Sequence, residues 1–388
     1  MLKSAAVHAD SREVEPTAYL NNAAEGWPKA PGVVDAVRRT MERFPEGAGR
    51  STGLHEADVE KARSAIAQWL QVEPRCIVFA GSATLALNLA IQGLSPECFR
   101  HVVVTVMEHN SVLRPLHKAL ARYGGRLTAV GLNSEGTLDR AAWQRALEQR
   151  PTLVAINHVS NVTGQINPIE KLLETARVAG AKTLLDASQS VGYLELKPRE
   201  WAVDLMAFGG QKGLHGLPGI GVLYVAPGVE LQPLYSGGTG VHSELTRQPE
   251  AMPLRLEAGT SNAPALAGLV AALSWRRQEG AEFARRARTM AERLEQGLRS
   301  IRRVRLIGAQ GPRLGVVSFC VEDWEPDEAA LVLRHSFGIV CRAGLHCAPL
   351  MHRALGTENR GTVRFSVSGF TTAREVDSAI EAIWRMTR

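Results

Sequence analysis

The stretch "AFGGQKGLHGLPGIGVLYV" (207–225) contains Lys212, and no lysine follows it although arginine is abundant to the end of the chain. Both side chains carry charge, but only lysine sheds its proton readily enough to act as an amine nucleophile. A single lysine among glycines, just after an apolar run, therefore points to amine chemistry.

Other reactive side chains follow apolar runs in the same way. "CIVFA" (76–80) leads into "GSATLALNLAI", where Ser82 and Thr84 open a helix whose free N–H groups could hold a phosphate or simply be capped. "HVVVTV" (101–106) leads to Glu108 and His109, an imidazole able to stack on a ring or to serve structure alone. "TLVAIN" (152–157) leads to Asn161, a turn-former by type. "KTLLD" (182–186) ends on Asp186, a carboxylate that needs a cation or a cap in such apolar company. Each is explained as well by local structure as by chemistry. Together they offer a phosphate cradle, a stacking ring, an amide, a carboxylate and an amine, a set that suits pyridoxal phosphate. The glycine-rich "GLPGIG" precedes a strand rather than following one, so it does not read as a dinucleotide fingerprint.

The elements that must position these groups alternate. Apolar runs at 76–80, 101–106, 152–157, 182–186, 204–208 and 219–225 are separated by helical patterns such as 139–150 and 168–181. This predicts an α/β fold with a mostly parallel sheet covered by helices on both faces, whose ligands bind outside the carboxyl ends of the strands. After about residue 265 a long helical region leads to strands at 315–321, 338–341 and 361–367, which predicts a smaller α+β domain.

Composition narrows the class. The 388 residues are 45% hydrophobic and 22% charged, so a large core needs no metal or disulfide staple. A net charge of +6 is spread among acidic residues, as in 282–303, which reads as solvated helix faces and not as a nucleic-acid stripe. Five cysteines without a C-x-x-C pair predict neither a zinc site nor a disulfide framework, and fit a reducing cytoplasm. No apolar run is long enough for a membrane span, and the N-terminus lacks the apolar segment of a secretory signal.

From "YLNNAAEGWPKAP" through "AGSATLALNLA", "MEHNSVLRPL", "HVSNVTGQI", "LLDASQSVG", "GGQKGLHGLPGIGVLY", "EAGTSNAPALAGL" and "RAGLHCAPLMHRALG" to "GTVRFSVSGFTT", the chain resembles the class V, fold-type I pyridoxal phosphate enzymes, specifically cysteine desulfurases and selenocysteine lyases. The resemblance covers about residues 18–388. It implies a seven-stranded large domain at 18–262, a small domain at 263–388 bearing a catalytic cysteine loop, and an N-terminal segment (1–30) packed on the small domain.

It also implies roles for particular residues. Lys212 would form the Schiff base with the cofactor and move the substrate's Cα proton. Asp186 would pair with the pyridine nitrogen, Gln189 with the phenolic oxygen, and His109 would stack on the ring. Thr84 and the backbone of Ala83 would hold the phosphate, with Gln211 near it. Thr260 would reach the phosphate of a neighbouring subunit, which implies a homodimer. Asn161 and Arg364 would bind the substrate carboxylate, with Asn22 and Ala23 closing over it. Cys347 would accept the sulfur of L-cysteine as a persulfide, yielding L-alanine, and pass it to a protein or small-molecule acceptor. Only nine residues ("APLMHRALG") run from it to the glycine of the next helix-like stretch, without a long insertion, which resembles the short-loop branch. His346 and Arg342 would lend that loop positive character.

Three positions depart from the family pattern. Gly209 and Gln211 stand where Ser or Thr and His are common, which predicts a looser phosphate, and Glu25 adds a negative charge near the substrate entrance. Alternatives on the same fold are selenocysteine lyase, C–S lyase or amino-acid epimerase. An alternative of another class is a degenerate cofactor-binding protein without catalysis. Cys347 discriminates, because an eliminating lyase or epimerase needs no acceptor thiol.

Overall fold

The computed structural model describes residues 16–43, 54–242, 244–309, 311 and 313–388. Residues 1–15 of the N-terminal segment lie outside them. Thirteen strands run in chain order: β1 (Ala18–Tyr19), β2 (Ile77–Ala80), β3 (His101–Thr105), β4 (Arg126–Val130), β5 (Leu153–Asn157), β6 (Lys182–Asp186), β7 (Leu205–Gly209), β8 (Gly221–Val225), β9 (Val304–Ile307), β10 (Val316–Val321), β11 (Ile339–Val340), β12 (Arg342–Gly344) and β13 (Thr362–Ser366). The helices are α1 (Val33–Glu42), α2 (Leu54–Leu70), α3 (Ala83–Gln92), α4 (Asn110–Tyr123), α5 (Arg140–Glu148), α6 (Ile169–Val178), α7 (Ala263–Arg299), α8 (Pro326–Phe337), α9 (Pro349–Ala354) and α10 (Ala373–Met386).

Seven strands form the large sheet in the order β2-β8-β7-β6-β5-β3-β4. All neighbours pair parallel except β8, which is antiparallel to β2 and β7. The expected α/β class and mostly parallel sheet are borne out. The period of two along a strand explains why near-continuous apolar runs are needed. Val103, Val154 and Ile156 enter one core with α2, α5 and α6. Val102, Val104, Leu153 and Ala155 enter the other with α3 and α4.

A second sheet, β12-β13-β10-β9, is antiparallel throughout. Phe319 and Phe365 from its buried face pack with Leu333, Val376 and Ile383 from α8 and α10. The 37-residue α7 serves the cores of both sheets, with Leu266, Leu269 and Leu273 against the large one and Leu294 and Leu298 against the second. The N-terminal segment joins the second core: β1 pairs parallel with β11, and Asn21 bridges to Ser366. Four strands, β1, β4, β9 and β12, fall where the apolar runs did not predict them.

Candidate active site

The carboxyl ends of β2, β3, β5, β6 and β7 face one region, and each expected side chain follows one of them. At the end of β2, Ser82 caps α3: its Oγ accepts from Leu85 N–H (3.2 Å) and its carbonyl from Ala86 N–H (2.9 Å). The N–H groups of Ala83 and Thr84 have no intrahelical acceptor and point outward from the positive end of the helix dipole. Gly221 of β8 closes against this turn, where an added Cβ would come within 2.1 Å of the Ser82 carbonyl oxygen.

After β3, His109 caps α4. Its Nδ1 accepts from Ser111 N–H (3.0 Å) and contacts Ser111 Oγ (2.7 Å), which places the ring proton on Nε2. Burial, reinforced by the charge of Lys212, pushes His109 down to about 4, so the ring is neutral. After β6, Asp186 is buried; Oδ1 accepts from Ser188 N–H (2.9 Å), while Oδ2 has no hydrogen bond among the described residues. Gln189, in the same turn, donates to the Ala23 carbonyl (2.9 Å).

Lys212 follows β7. Burial lowers its amine from the usual value; Asp186 opposes the fall, and Arg364 and Arg342 add to it. Its loop is tightly held. Gly26 N–H donates to the Gln211 carbonyl (2.7 Å), and an added Cβ on Gly26 would meet the Lys212 carbonyl oxygen at 2.5 Å. Gln211 folds back over Gly209: a Cβ at Gly209 would lie 2.6 Å from Gln211 Oε1. The absence of a side chain at 209 is thus the space that the Gln211 amide occupies.

The second sheet brings the remaining groups. Arg364 on β13 is buried, donating from Nη1 to the Asn161 carbonyl (2.9 Å) and from Nη2 to Asn21 Oδ1 (3.3 Å). Arg342 on β12 is its paired neighbour in register. Burial and this second guanidinium lower Arg364 to about 9. Two arginines side by side with no carboxylate partner for Arg364 are unfavourable unless an anion joins them. Asn161 donates to the His346 carbonyl (2.7 Å), and its Oδ1 is buried without a partner.

Cys347 completes the group. His346 and Cys347 both adopt left-handed backbone conformations (φ 48° and 60°), rare for side chains of this kind. The loop is pinned by Asn110 N–H to the Cys347 carbonyl (2.7 Å), and Arg342 Nη2 lies 3.3 Å from Cys347 Sγ. Among the other cysteines, burial pushes Cys341 to about 12 and raises Cys76 and Cys320.

Two expectations are corrected. His346 supplies no positive charge: it is buried against Thr362 Oγ1 (2.9 Å) and pushed down to about 2, so Arg342 alone charges the loop. Glu25 adds no free negative charge at the entrance, because it pairs with Lys29. Two other residues are not turned toward this group. Asn22 spends its amide on the Tyr19 and Ser366 carbonyls and on Trp27 N–H, and the asparagine that reaches Arg364 is Asn21. Thr260 is exposed, beside Gly81 and Gly219. Thr84 is exposed at the mouth of the cradle and Ala23 is buried beneath, its N–H held by Ser366 Oγ (2.9 Å). Arg342 was named from the sequence for its charge alone; its pairing with Arg364 is visible only once the register is known.

The family model described as Aminotransferase class-V matches residues 18–378. The chain belongs to the class V aminotransferase family. A probable cysteine desulfurase of Methanothermobacter thermautotrophicus is 31% identical, with 92% of each chain covered. A cysteine desulfurase of Cronobacter sakazakii is 30% identical over 97% of this chain and 96% of its own. The apo structure of cysteine desulfurase from Thermococcus onnurineus NA1 superimposes with a TM-score of 0.88 at 29% identity, covering 95% of this chain and 94% of that one. Among class V aminotransferases this chain therefore lies with the cysteine desulfurases. The family works with pyridoxal phosphate in general, and the residues present fit that group. The open α3 N-terminus suits its phosphate, Asp186 Oδ2 its ring nitrogen, and the neutral His109 ring its face.

Proposed function

We propose that this cysteine desulfurase binds pyridoxal phosphate and takes the sulfur of L-cysteine onto Cys347, releasing L-alanine. The observation that carries this reading is the Cys347 thiol, 3.3 Å from the Arg342 guanidinium and in the same field of charge as Lys212 and Arg364.

Bound pyridoxal phosphate supplies an electron sink for charge that develops at the substrate Cα. Lys212, Asp186, Gln189 and His109 would hold its ring, and Ala83, Thr84 and Gln211 its phosphate. Lys212 needs a free amine, and burial lowers the cost of losing its proton. Once deprotonated, that amine removes the Cα proton and returns a proton later. Arg364 receives the substrate carboxylate in its planar fork, with Asn161 beside it. Cys347 Sγ, as thiolate, bonds to the substrate sulfur while the sulfur–carbon bond breaks. The β carbon then takes a proton to become the methyl group of alanine. The products balance as alanine and a Cys347 persulfide, whose outer sulfur passes to an acceptor.

The exposed Thr260 supports a homodimer in which this loop reaches the cradle of the second copy. The test is product analysis with L-cysteine, a reductant and added cofactor. Wild type should release sulfide and alanine in equal amounts, and Cys347→Ala should release neither at a comparable rate. Sulfide with pyruvate from the variant would mean elimination, with Cys347 a bystander.

A further inference from the structure

Near Asp186, bonded to its register partner Asn157, lies a second carboxyl group that the reaction above leaves unused. Glu108 is wholly buried, one residue before His109. Its Oε1 accepts from Asn157 N–H (2.8 Å) and from Thr105 Oγ1 (2.8 Å), tying the ends of β5 and β3 together. Among the described residues its buried Oε2 has no donor, and neither has the buried side-chain Oδ1 of the same Asn157. No cation pairs with Glu108 among the described residues. An ionised carboxylate would thus have one oxygen bare, in a floor that already holds Asp186. A proton on Oε2 removes the charge and turns one of two orphaned acceptors into a donor.

We propose that Glu108 is a positioning residue held as a neutral carboxylic acid, fixing the ends of β3 and β5 and leaving one negative charge, that of Asp186, and not two at these strand ends. Its catalytic consequence rests on the reading of Asp186 as the partner of the ring nitrogen; the protonation itself does not. Burial pushes Glu108 up to about 8, Asp186 adds to the rise, and hydrogen bonds from Thr105 and Asn157 oppose it. Asp186 on β6 is the charged group that acts on it. Thr105 and Asn157 are neutral, and His109 and His158, adjacent in sequence to Glu108 and Asn157, are each pushed down to about 4 and uncharged.

The sign follows from proton counting. Between the ordinary 4.5 and about 8 the folded chain keeps a proton that the unfolded chain has lost, so Glu108 lowers stability progressively as pH rises through that window. Glu108→Gln keeps the shape and neutrality and abolishes the titration; Glu108→Ala removes the ties.

The experiment compares thermal unfolding of wild type, Glu108→Gln and Glu108→Ala across that window, with the pH profile of turnover and the infrared band of carboxylic acids. We expect Glu108→Gln to gain stability over wild type as pH rises and to keep turnover within about threefold, while Glu108→Ala falls at least about tenfold. The wild type should show a carboxylic-acid band at neutral pH that Glu108→Gln lacks and that fades above about 8. Overturning results are a glutamine variant as damaged as alanine with an unchanged pH slope, or no such band in wild type at neutral pH. The wild-type band decides even if the variants fail to fold. Failure of the desulfurase reading would appear as no sulfide from wild type and would leave the unfolding and infrared results intact.

Discussion

At the scale of single residues, the candidate site sets its groups apart by what lies next to them. Cys347 has a guanidinium at 3.3 Å, whereas Cys341 sits in a buried environment that pushes its thiol to about 12. Iodoacetamide should therefore modify Cys347 well before Cys341, and Arg342→Ala should slow that reaction about tenfold by removing the charge-assisted contact. Peptide mapping of the alkylated protein reads both outcomes; equal labelling of the two thiols would refute the assignment. Arg364 makes a second case, because it holds structure and, in the proposed reaction, would also receive the substrate carboxylate. Its Nη1 holds the Asn161 carbonyl, so Arg364→Lys should raise KM for cysteine by roughly a hundredfold through loss of the planar fork, with kcat changed less. Both Cys347 and Arg364 were legible in the sequence through the family resemblance, Arg364 also as a planar guanidinium in an otherwise apolar strand. Their environments were not: the neutrality of His346 and the pairing of Glu25 with Lys29 depend on partners distant in sequence or on a loop's path.

At the scale of elements, the cradle depends on how closely β8 approaches the first turn of α3. Ser82 fixes the helix start, and Gly221 must lack a side chain because its backbone lies against the Ser82 carbonyl oxygen and Ala83 N. Gly221→Ala should cost about 2 kcal/mol or more by forcing this turn apart, and should weaken cofactor binding measured by fluorescence titration of the apoprotein. Ser82→Ala should cost about 1 kcal/mol, the usual loss for a cap, with a smaller loss of cofactor affinity. If the glycine change altered stability but left cofactor affinity intact, the cradle would lie elsewhere. Elements with both faces buried were the most readable, since β3, β5, β7 and β8 are buried along their whole length and carry apolar runs. The four strands that escaped, β1, β4, β9 and β12, are edges: β4 reads "RLTAV" with exposed residues, and β9 reads "VRLI" with Arg305 exposed. An edge strand needs no continuous apolar run, so its pattern fades into loop.

At the scale of the whole molecule, the two cores share α7, and the site lies where strand ends of one sheet meet β12 and β13 of the other. Burial of imidazoles in and around this junction makes its stability a function of pH. His109, His158 and His352 are pushed down to about 4, His215 to about 3 and His346 to about 2, in each case chiefly by burial. Below the ordinary value of 6.5 the unfolded chain binds protons that the folded chain refuses. The sign is therefore opposite to that of Glu108: these groups contribute their full stability above 6.5 and lose it steadily as pH falls toward 4. Five such groups titrating together outweigh one carboxyl acting in reverse, so the melting temperature should fall steeply on acidification below 6.5. His346 offers the sharpest check, because its ring ties the Cys347 loop to Thr362 through Nε2 and its Nδ1 has no partner. His346→Gln keeps a donor for that hydroxyl without an imidazole to protonate. It should be less stable than wild type at neutral pH, through imperfect packing, but should lose less stability on acidification, so the two melting curves converge as pH falls. Parallel curves would show that His346 stays out of the acid transition, and that the junction is opened by the other imidazoles alone.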